Sequence, residues 1–375
     1  VRERRLADDA ATLEALGDLA EAGYVAPHWP TPWGLDADPI HQIIIDEELR
    51  RAGVRRPNNP IGIGWAGPTI LEAGTDAHKD DYLFGLLSGE DTWCQLFSEP
   101  GAGSDLAALS TRAVRDGDEW IVNGQKIWTS LAHHSRYGIL IARTDPDAPK
   151  HQGISYFICP MDLPGIEIRP IVAMTGADHF NEVFLTDVRI PDSMRVDEVG
   201  RGWGVSITTL MNERVSIGGG TPPRGSGPIG QLLEQWKRSG SDDPVTRDAV
   251  TQLWIQAEVN RLTNLRAAAN RKAGTPGPEG SVAKLAMAEL NKKIFSLAVD
   301  IMGPEGMLYG SYEFVRPRHA LFTDDMHKNF LRARANSIEG GTSEVLRNIL
   351  GERVLGLPGD VRVDKDLPWA QVPRS

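Results

Sequence analysis

Apolar residues recur at two different periods along this chain, and the points where the period changes divide it in three. Up to about residue 90 the spacing is helical. Leu13, Leu16, Leu19 and Ala20 share one face of a helix predicted over Arg2–Ala22, and Gly23 stops it. Trp29-Pro-Thr-Pro-Trp-Gly reads as a rigid aromatic connector. Pro39–Gly53 follows as a second helix, with Ile43, Ile44 and Leu49 expected on its buried side and Arg50 and Arg51 outside. Pro68–Leu71 and Tyr82–Leu87 are shorter helical pieces. From Trp93 to about Val199 the period becomes two. Glu119–Val122, Asn123-Gly124 and Gln125–Trp128 predict a hairpin, because Asn-Gly suits the left-handed positions of a tight turn. Tyr137–Ala142, Ile154–Cys159, Ile166–Ile171 and Glu182–Leu185 predict further strands. Helical composition returns at Gly202–Gly219, is broken by the Gly- and Pro-rich run Gly218–Pro228, and resumes over Val245–Ala273, where Leu253, Val259, Leu262 and Leu265 are apolar. Ser281 reads as the N-cap of a helix carrying Val282, Leu285, Leu290, Ile294, Leu297 and Ile301, and a last helix is expected to contain Glu344–Leu355. The expected class is α+β, with a helical domain over 1–92, a β domain over 93–200 and a helical domain over 201–375.

Composition narrows the function more than the fold. At 375 residues the chain has room for two or three core-bearing domains. A formal net charge of −11 argues against nucleic acid or an anionic membrane as the main partner. Cys94 and Cys159 are too few for a disulfide framework or a metal cluster, so no metal site is expected. With no signal sequence and no spanning apolar run, the expected compartment is the cytosol. The chain opens at Val1, without a Met, inside a predicted helix, so a leading piece is expected before it.

Two stretches carry candidate chemistry. The first is Gln95-Leu-Phe-Ser-Glu-Pro-Gly-Ala-Gly-Ser-Asp105, the second Gly124-Gln-Lys-Ile-Trp-Thr-Ser130. Ser98 and Ser104 offer hydroxyls, and Gly101 and Gly103 let backbone N–H groups approach a flat or anionic ligand. The loop is not a dinucleotide-binding Gly-x-Gly-x-x-Gly, because strand-like sequence follows it, and it lacks the Gly-Lys-Ser/Thr of a P-loop. Alone it reads equally as a surface turn or a ligand loop. Trp128, Thr129 and Ser130 tip the balance, since a large aromatic beside hydroxyls suits an apolar heterocycle with polar edges.

Here the chain resembles the acyl-CoA dehydrogenase family of flavoenzymes. The matching residues are Ser98–Asp105, Asn123–Ser130, Asn212-Glu213-Arg214 and Glu339-Gly-Gly-Thr-Ser-Glu344, in the family's order over nearly the whole chain. The resemblance implies that family's fold, with an N-terminal α-helical domain, a central β domain and a C-terminal four-helix bundle. It implies FAD, held at the isoalloxazine edge by Gln95, Phe97, Ser98, Gly103, Ser104, Trp128 and Thr129. Ser130 matches the hydroxyl near flavin N5, and Thr342 and Glu344 match residues on the ribose and phosphate side. Ser104 and Arg214 match positions facing substrate. CoA is polyanionic, so its site must be a local basic patch within an acidic molecule.

Removing hydrogens from both the α and β carbons of an acyl thioester needs a base and a hydride acceptor. Most short- and medium-chain members carry the base as a Glu directly before Gly-Thr in the C-terminal motif. Here that position is Gly340, with Glu339 one residue upstream. A second group, including isovaleryl- and long-chain-type enzymes, carries it directly before an Arg on the helix after the β domain, which here is Glu213 before Arg214. The resemblance thus implies Glu213 as base, with Glu339 in reserve and the backbone N–H near Gly340 as donor to the thioester oxygen. Without the family, Glu213–Arg214 reads as an exposed helical pair.

Symmetrical tetramers of the family bind the ADP half of FAD with an Arg-x-x-Phe-Gly and a Gln-x-x-Gly-Gly from a neighbouring subunit. In this chain the first region reads Lys237-Arg238-Ser239-Gly240, leaving Arg238 as a remnant, and the second reads Asp300-Ile-Met-Gly-Pro304. A carboxylate at Asp300 has the wrong sign for pyrophosphate. One reading is a heteromeric α₂β₂ assembly with a related subunit, similar to some actinobacterial enzymes for steroid side chains. The other is a homo-oligomer with a variant contact set. Either is expected to be a dimer of dimers, passing electrons to an electron-transfer flavoprotein. An FAD-containing oxidase relative and a non-catalytic scaffolding subunit are the competing readings. His133-His134 and Cys94 read as packing residues, and Gly218–Gly220 as either a helix stop or room for a bulky acyl chain.

Overall fold

The computed structural model describes residues 14–218, 222–270, 279–308, 325–359, 361 and 364–372. They fall into two compact units, where the sequence predicts three domains. The first comprises the described residues of Val1–Ile171, Phe180–Leu210 and Arg362–Ser375, and the second those of Val172–His179 and Met211–Val361.

In the first unit, helices α1 (14–21), α2 (Pro39–Arg51), α3 (Gly67–Ala73) and α4 (Asp76–Ser88) precede eight strands. Asp38 caps α2 by accepting from Ile40 N and His41 N, and Thr75 caps α4 in a reciprocal capping box with His78. The strands are β1 (Trp93–Leu96), β2 (Arg112–Asp116), β3 (Glu119–Ser130), β4 (Tyr137–Arg143), β5 (Ile154–Pro160), β6 (Ile166–Ile171), β7 (Phe180–Pro191) and β8 (Arg195–Val196). They form one sheet in the order β6-β7-β3-β2-β4-β5-β8, with β1 added parallel to β4. Side chains alternate between two cores. Ile139, Ile141, Tyr156 and Ile158 join Ile70, Leu83 and Leu86 of the helices on one face. Leu140, Ala142, Phe157 and Cys159 join Val122, Val183, Val188 and Ile190 on the other. Burial on both faces is why β4 and β5 read as largely apolar runs, interrupted in β5 only by Ser155.

Three local expectations are overturned. Asn123-Gly124 is not a hairpin turn. β3 runs through it, and the turn lies at Gly117, in the left-handed region at φ +62°, between β2 and β3. Asn123 instead sits at a register shift against β7, where its Nδ2 donates to Asp187 Oδ1 (3.0 Å) and its Oδ1 accepts from Asp187 N (2.9 Å). Gly124 is small because a Cβ there would lie 2.7 Å from Thr111 Cα. Ile43 and Ile44 on α2 are not buried: they are 60 % and 50 % exposed, and only Leu49 packs on the core. Ser281 is not an N-cap, because it lies within helix α8 (below), where it is buried.

Helix α5 (Gly202–Gly218) has its first turns in the first unit and its last in the second. The second unit continues with α6 (Pro228–Ser239), α7 (Pro244–Asn270), α8 (Glu279–Ile301), α9 (Met326–Ala333) and α10 (Ser343–Ile349). Its core gathers Ile229 and Leu232 of α6, Val250 and Leu253 of α7, Leu290, Ile294, Phe295 and Ala298 of α8, and Met326 and Ala333 of α9. Residues 219 and 220 of the glycine run lie outside the described residues. No helix among those described is long and apolar enough to cross a membrane.

Candidate active site

In the first unit a buried ion pair locks the two ligand motifs together. Glu99 accepts from Ser110 N (2.6 Å), Ser110 Oγ (2.8 Å), Thr111 N (2.9 Å) and Lys126 Nζ (2.8 Å). Lys126 Nζ also donates to Phe97 O (3.1 Å), and Ile127 N to Ser98 O (2.9 Å). Burial by itself would raise the Glu99 pKa, but the Lys126 charge and these hydrogen bonds outweigh it and hold the carboxyl down at about 2. Sequence reasoning read past both residues. The available signal was one lysine in the second motif and an acid within the first.

From this anchor Glu99 and Ala102 exchange backbone hydrogen bonds (both 3.0 Å), closing a tight turn. Gly101 and Gly103 face open space, where an added Cβ would meet no atom within 4 Å, and neither has a left-handed φ. Among the described residues nothing demands glycine at either position, so the face of the loop is open. Phe97 is buried edge-on to Tyr156, at 6.0 Å between rings, while Ser104 is exposed. Cys94 of β1 packs in the sheet's second core, its thiol pushed up to about 12 by burial.

At the far end of β3, Trp128 adopts φ +61° at the register shift between Lys126 and Thr129. A left-handed conformation at a bulky residue costs on the order of 1 kcal/mol. What it achieves here is to turn the indole outward, 57 % exposed, with Phe180 edge-on at 5.9 Å. Thr129 is buried, and its hydroxyl has no hydrogen-bond partner among the described residues. Asn181 Nδ2 donates to Thr129 O (2.9 Å), and His133 Nδ1 donates to Asn181 Oδ1 (2.9 Å), so His133 steadies the strand end.

The second unit holds the candidate acids. Glu213 on α5 is buried, 6 % exposed, beside a half-buried Arg214. Burial pulls the Arg214 guanidinium below its ordinary value, and the neighbouring Glu213 charge opposes this. Glu339 is engaged elsewhere: Arg332 grips it with two nitrogens (2.9 and 2.8 Å), and Asn336 Nδ2 adds a third bond (2.9 Å). Gly340 and Gly341 both take positive φ, +60° and +90°. Lys284 of α8, fully buried, ties this turn down by donating to Asn336 O (2.9 Å) and Gly341 O (2.6 Å). Thr342 caps α10, accepting from Val345 N (3.1 Å), and Glu344 lies exposed 3.5 Å from Arg347. Asp300 and Arg238 are exposed.

Family models for the N-terminal, middle and C-terminal domains of acyl-CoA dehydrogenases match residues 1–90, 94–188 and 200–355. The acyl-CoA dehydrogenase IpdE1 of Mycobacterium tuberculosis is 37 % identical over 92 % of this chain and 87 % of its own length. This chain belongs to the acyl-CoA dehydrogenase family. Acyl-CoA dehydrogenase FadE34 of the same organism is 42 % identical over 91 % of this chain, which spans 45 % of FadE34's length. Among solved structures, the ChsE4–ChsE5 complex from M. tuberculosis has a chain 30 % identical, with a TM-score of 0.75 over 96 % of this chain and 94 % of that one. Acyl-CoA dehydrogenases are flavin oxidoreductases. The open glycine face, the outward indole and the unpartnered Thr129 hydroxyl of the first unit fit such a planar, polar-edged group.

Proposed function

We propose that this chain removes the α proton and β hydride of an acyl-CoA thioester to give a trans-2-enoyl-CoA, with Glu213 as base. FAD, when bound, supplies the hydride acceptor at N5, a function no side chain has. Gln95, Phe97, Ser98, Gly103, Ser104, Trp128 and Thr129 would hold its ring edge, with Ser130 near N5. Thr342 and Glu344 are assigned to its ribose and phosphate side, although the Thr342 hydroxyl already serves the α10 cap. Glu213 takes the proton from the α carbon, and the Gly340 backbone N–H donates to the thioester oxygen, stabilising the charge that builds there. Ser104 and Arg214 orient the acyl-CoA.

The reading rests on the place of Glu213, a buried carboxylate directly before Arg214 on α5. Glu339, the reserve, is bonded to Arg332 and Asn336. Glu213→Gln is expected to lower kcat by about 10³-fold, within the range for a lost general base, with flavin content unchanged. Glu339→Gln is expected to keep most of the activity. A near-wild-type rate in Glu213→Gln rules the assignment out.

We infer further that the chain works in a heteromeric assembly and hands electrons to an electron-transfer flavoprotein. Two points support the assembly: Asp300, exposed and matching the family position of a pyrophosphate-binding amide, and the complex named for the ChsE4–ChsE5 relative. Flavin stoichiometry of the chain expressed alone is the test, since full and tight occupancy excludes an obligate partner.

A further inference from the structure

Residues 364–372 lie beyond residue 355, where the family match ends, yet they are bonded into the first unit directly behind the proposed flavin loop. Trp369 N donates to Ala148 O (2.9 Å) and Ala370 N to Pro146 O (2.9 Å). The Trp369 indole N–H donates to Ala108 O (3.3 Å), and its ring covers the Arg143 guanidinium at 4.8 Å. Arg143, buried, donates to Ala107 O (2.6 Å) and Lys150 O (2.7 Å). Lys150 Nζ then bridges two carboxylates, Asp105 Oδ2 at 2.9 Å and Asp364 Oδ2 at 2.6 Å.

These contacts converge on one turn. Asp105 ends the ligand motif, and the 3₁₀ turn Leu106–Ala108 follows it. Its carbonyls at Ala107 and Ala108 are taken by Arg143 and Trp369. Immediately after come Ser110 and Thr111, whose N–H groups fix Glu99 and through it the loop that begins at Ser98. A packed, hydrogen-bonded chain therefore runs from the tail to the loop. None of residues 364–372 belongs to either apolar core of the unit; their bonds go to the 106–108 turn, to the β4–β5 connection and to Arg143 at the end of β4.

We propose that residues 364–372 are a strap that sets the flavin-binding loop from behind, with Trp369 and Lys150 as positioning residues acting through the 106–108 turn and Asp105. This rests on the reading of Ser98–Ser104 as an FAD site. The test is the 375-residue chain carrying Asp364→Asn with Trp369→Ala, compared with wild type by amide hydrogen exchange on apoprotein and by FAD titration. Exchange over 98–111 should quicken about tenfold while Ile139–Ile141 of β4 and Tyr156–Cys159 of β5 are unchanged, and FAD affinity should fall by about tenfold, the scale of one lost bond to a charged group. Trp369→Phe, which keeps a ring over Arg143 but loses the indole donor, should fall between. Unchanged exchange over 98–111, or equal quickening across the whole sheet, overturns the strap. If the wild-type chain alone takes up no FAD, as an obligate partner would require, the exchange comparison on apoprotein decides the strap by itself.

Discussion

Glu99 and Lys126 set the residue-scale energetics of the ligand loop. Both side chains are almost wholly withdrawn from water, so removing one charge leaves the other stranded. Glu99→Gln should therefore destabilise the protein by roughly 3 kcal/mol or more, read from urea unfolding. The pH dependence has a definite direction. The folded carboxyl titrates at about 2 against 4.5 in the unstructured chain, so its contribution is whole above pH 4.5 and drains away as pH falls toward 2. The stability gap between wild type and Glu99→Gln should be constant from pH 7 to 5 and shrink below that. Lys284 plays a similar part in the other unit. Lys284→Met leaves Asn336 O and Gly341 O without their buried donor, so the Gly340–Gly341 turn should loosen, and Lys284→Arg should restore it in part. The sequence singled out Ser98, Trp128 and Ser130 because hydroxyls beside a large aromatic suit a flat, polar-edged group. It hid Glu99 and Lys126, because nothing local says that two charges 27 positions apart meet in the interior.

Among elements, β3 separates what periodicity can and cannot read. Alternation found both halves of the strand, but Asn123-Gly124 looks the same as a turn and as a bulge until β7 is seen pairing across it. Two demands made elsewhere keep those residues: Asp187 needs the Asn123 amide, and Thr111 needs the space at Gly124. Gly124→Ala should thus destabilise by about 1–3 kcal/mol through overpacking, measured as a lowered unfolding midpoint. Helix α2 is the converse case. Its apolar positions were legible, but their destination was not, since Ile43 and Ile44 have the right spacing for burial and yet lie exposed. The order of helices, then strands, then helices was legible throughout because long periodic segments dominate it.

At the scale of the whole molecule, the chain's acidity and its family membership pull in different directions. A net charge of −11 opposes a polyanionic CoA ester unless local cations such as Arg214 offset it, so acyl-CoA binding should weaken when Arg214 is replaced by Gln, as a raised KM. The claim on which the function depends is the identity of the base. It is tested most directly by mixing flavin-loaded protein with an acyl-CoA in the absence of oxygen and following the flavin absorbance in wild type, Glu213→Gln and Glu339→Gln. Bleaching in wild type and Glu339→Gln, with the Glu213→Gln flavin staying oxidised in the presence of bound substrate, is the predicted result. Bleaching of Glu213→Gln at close to the wild-type rate, or its loss only in Glu339→Gln, contradicts the account.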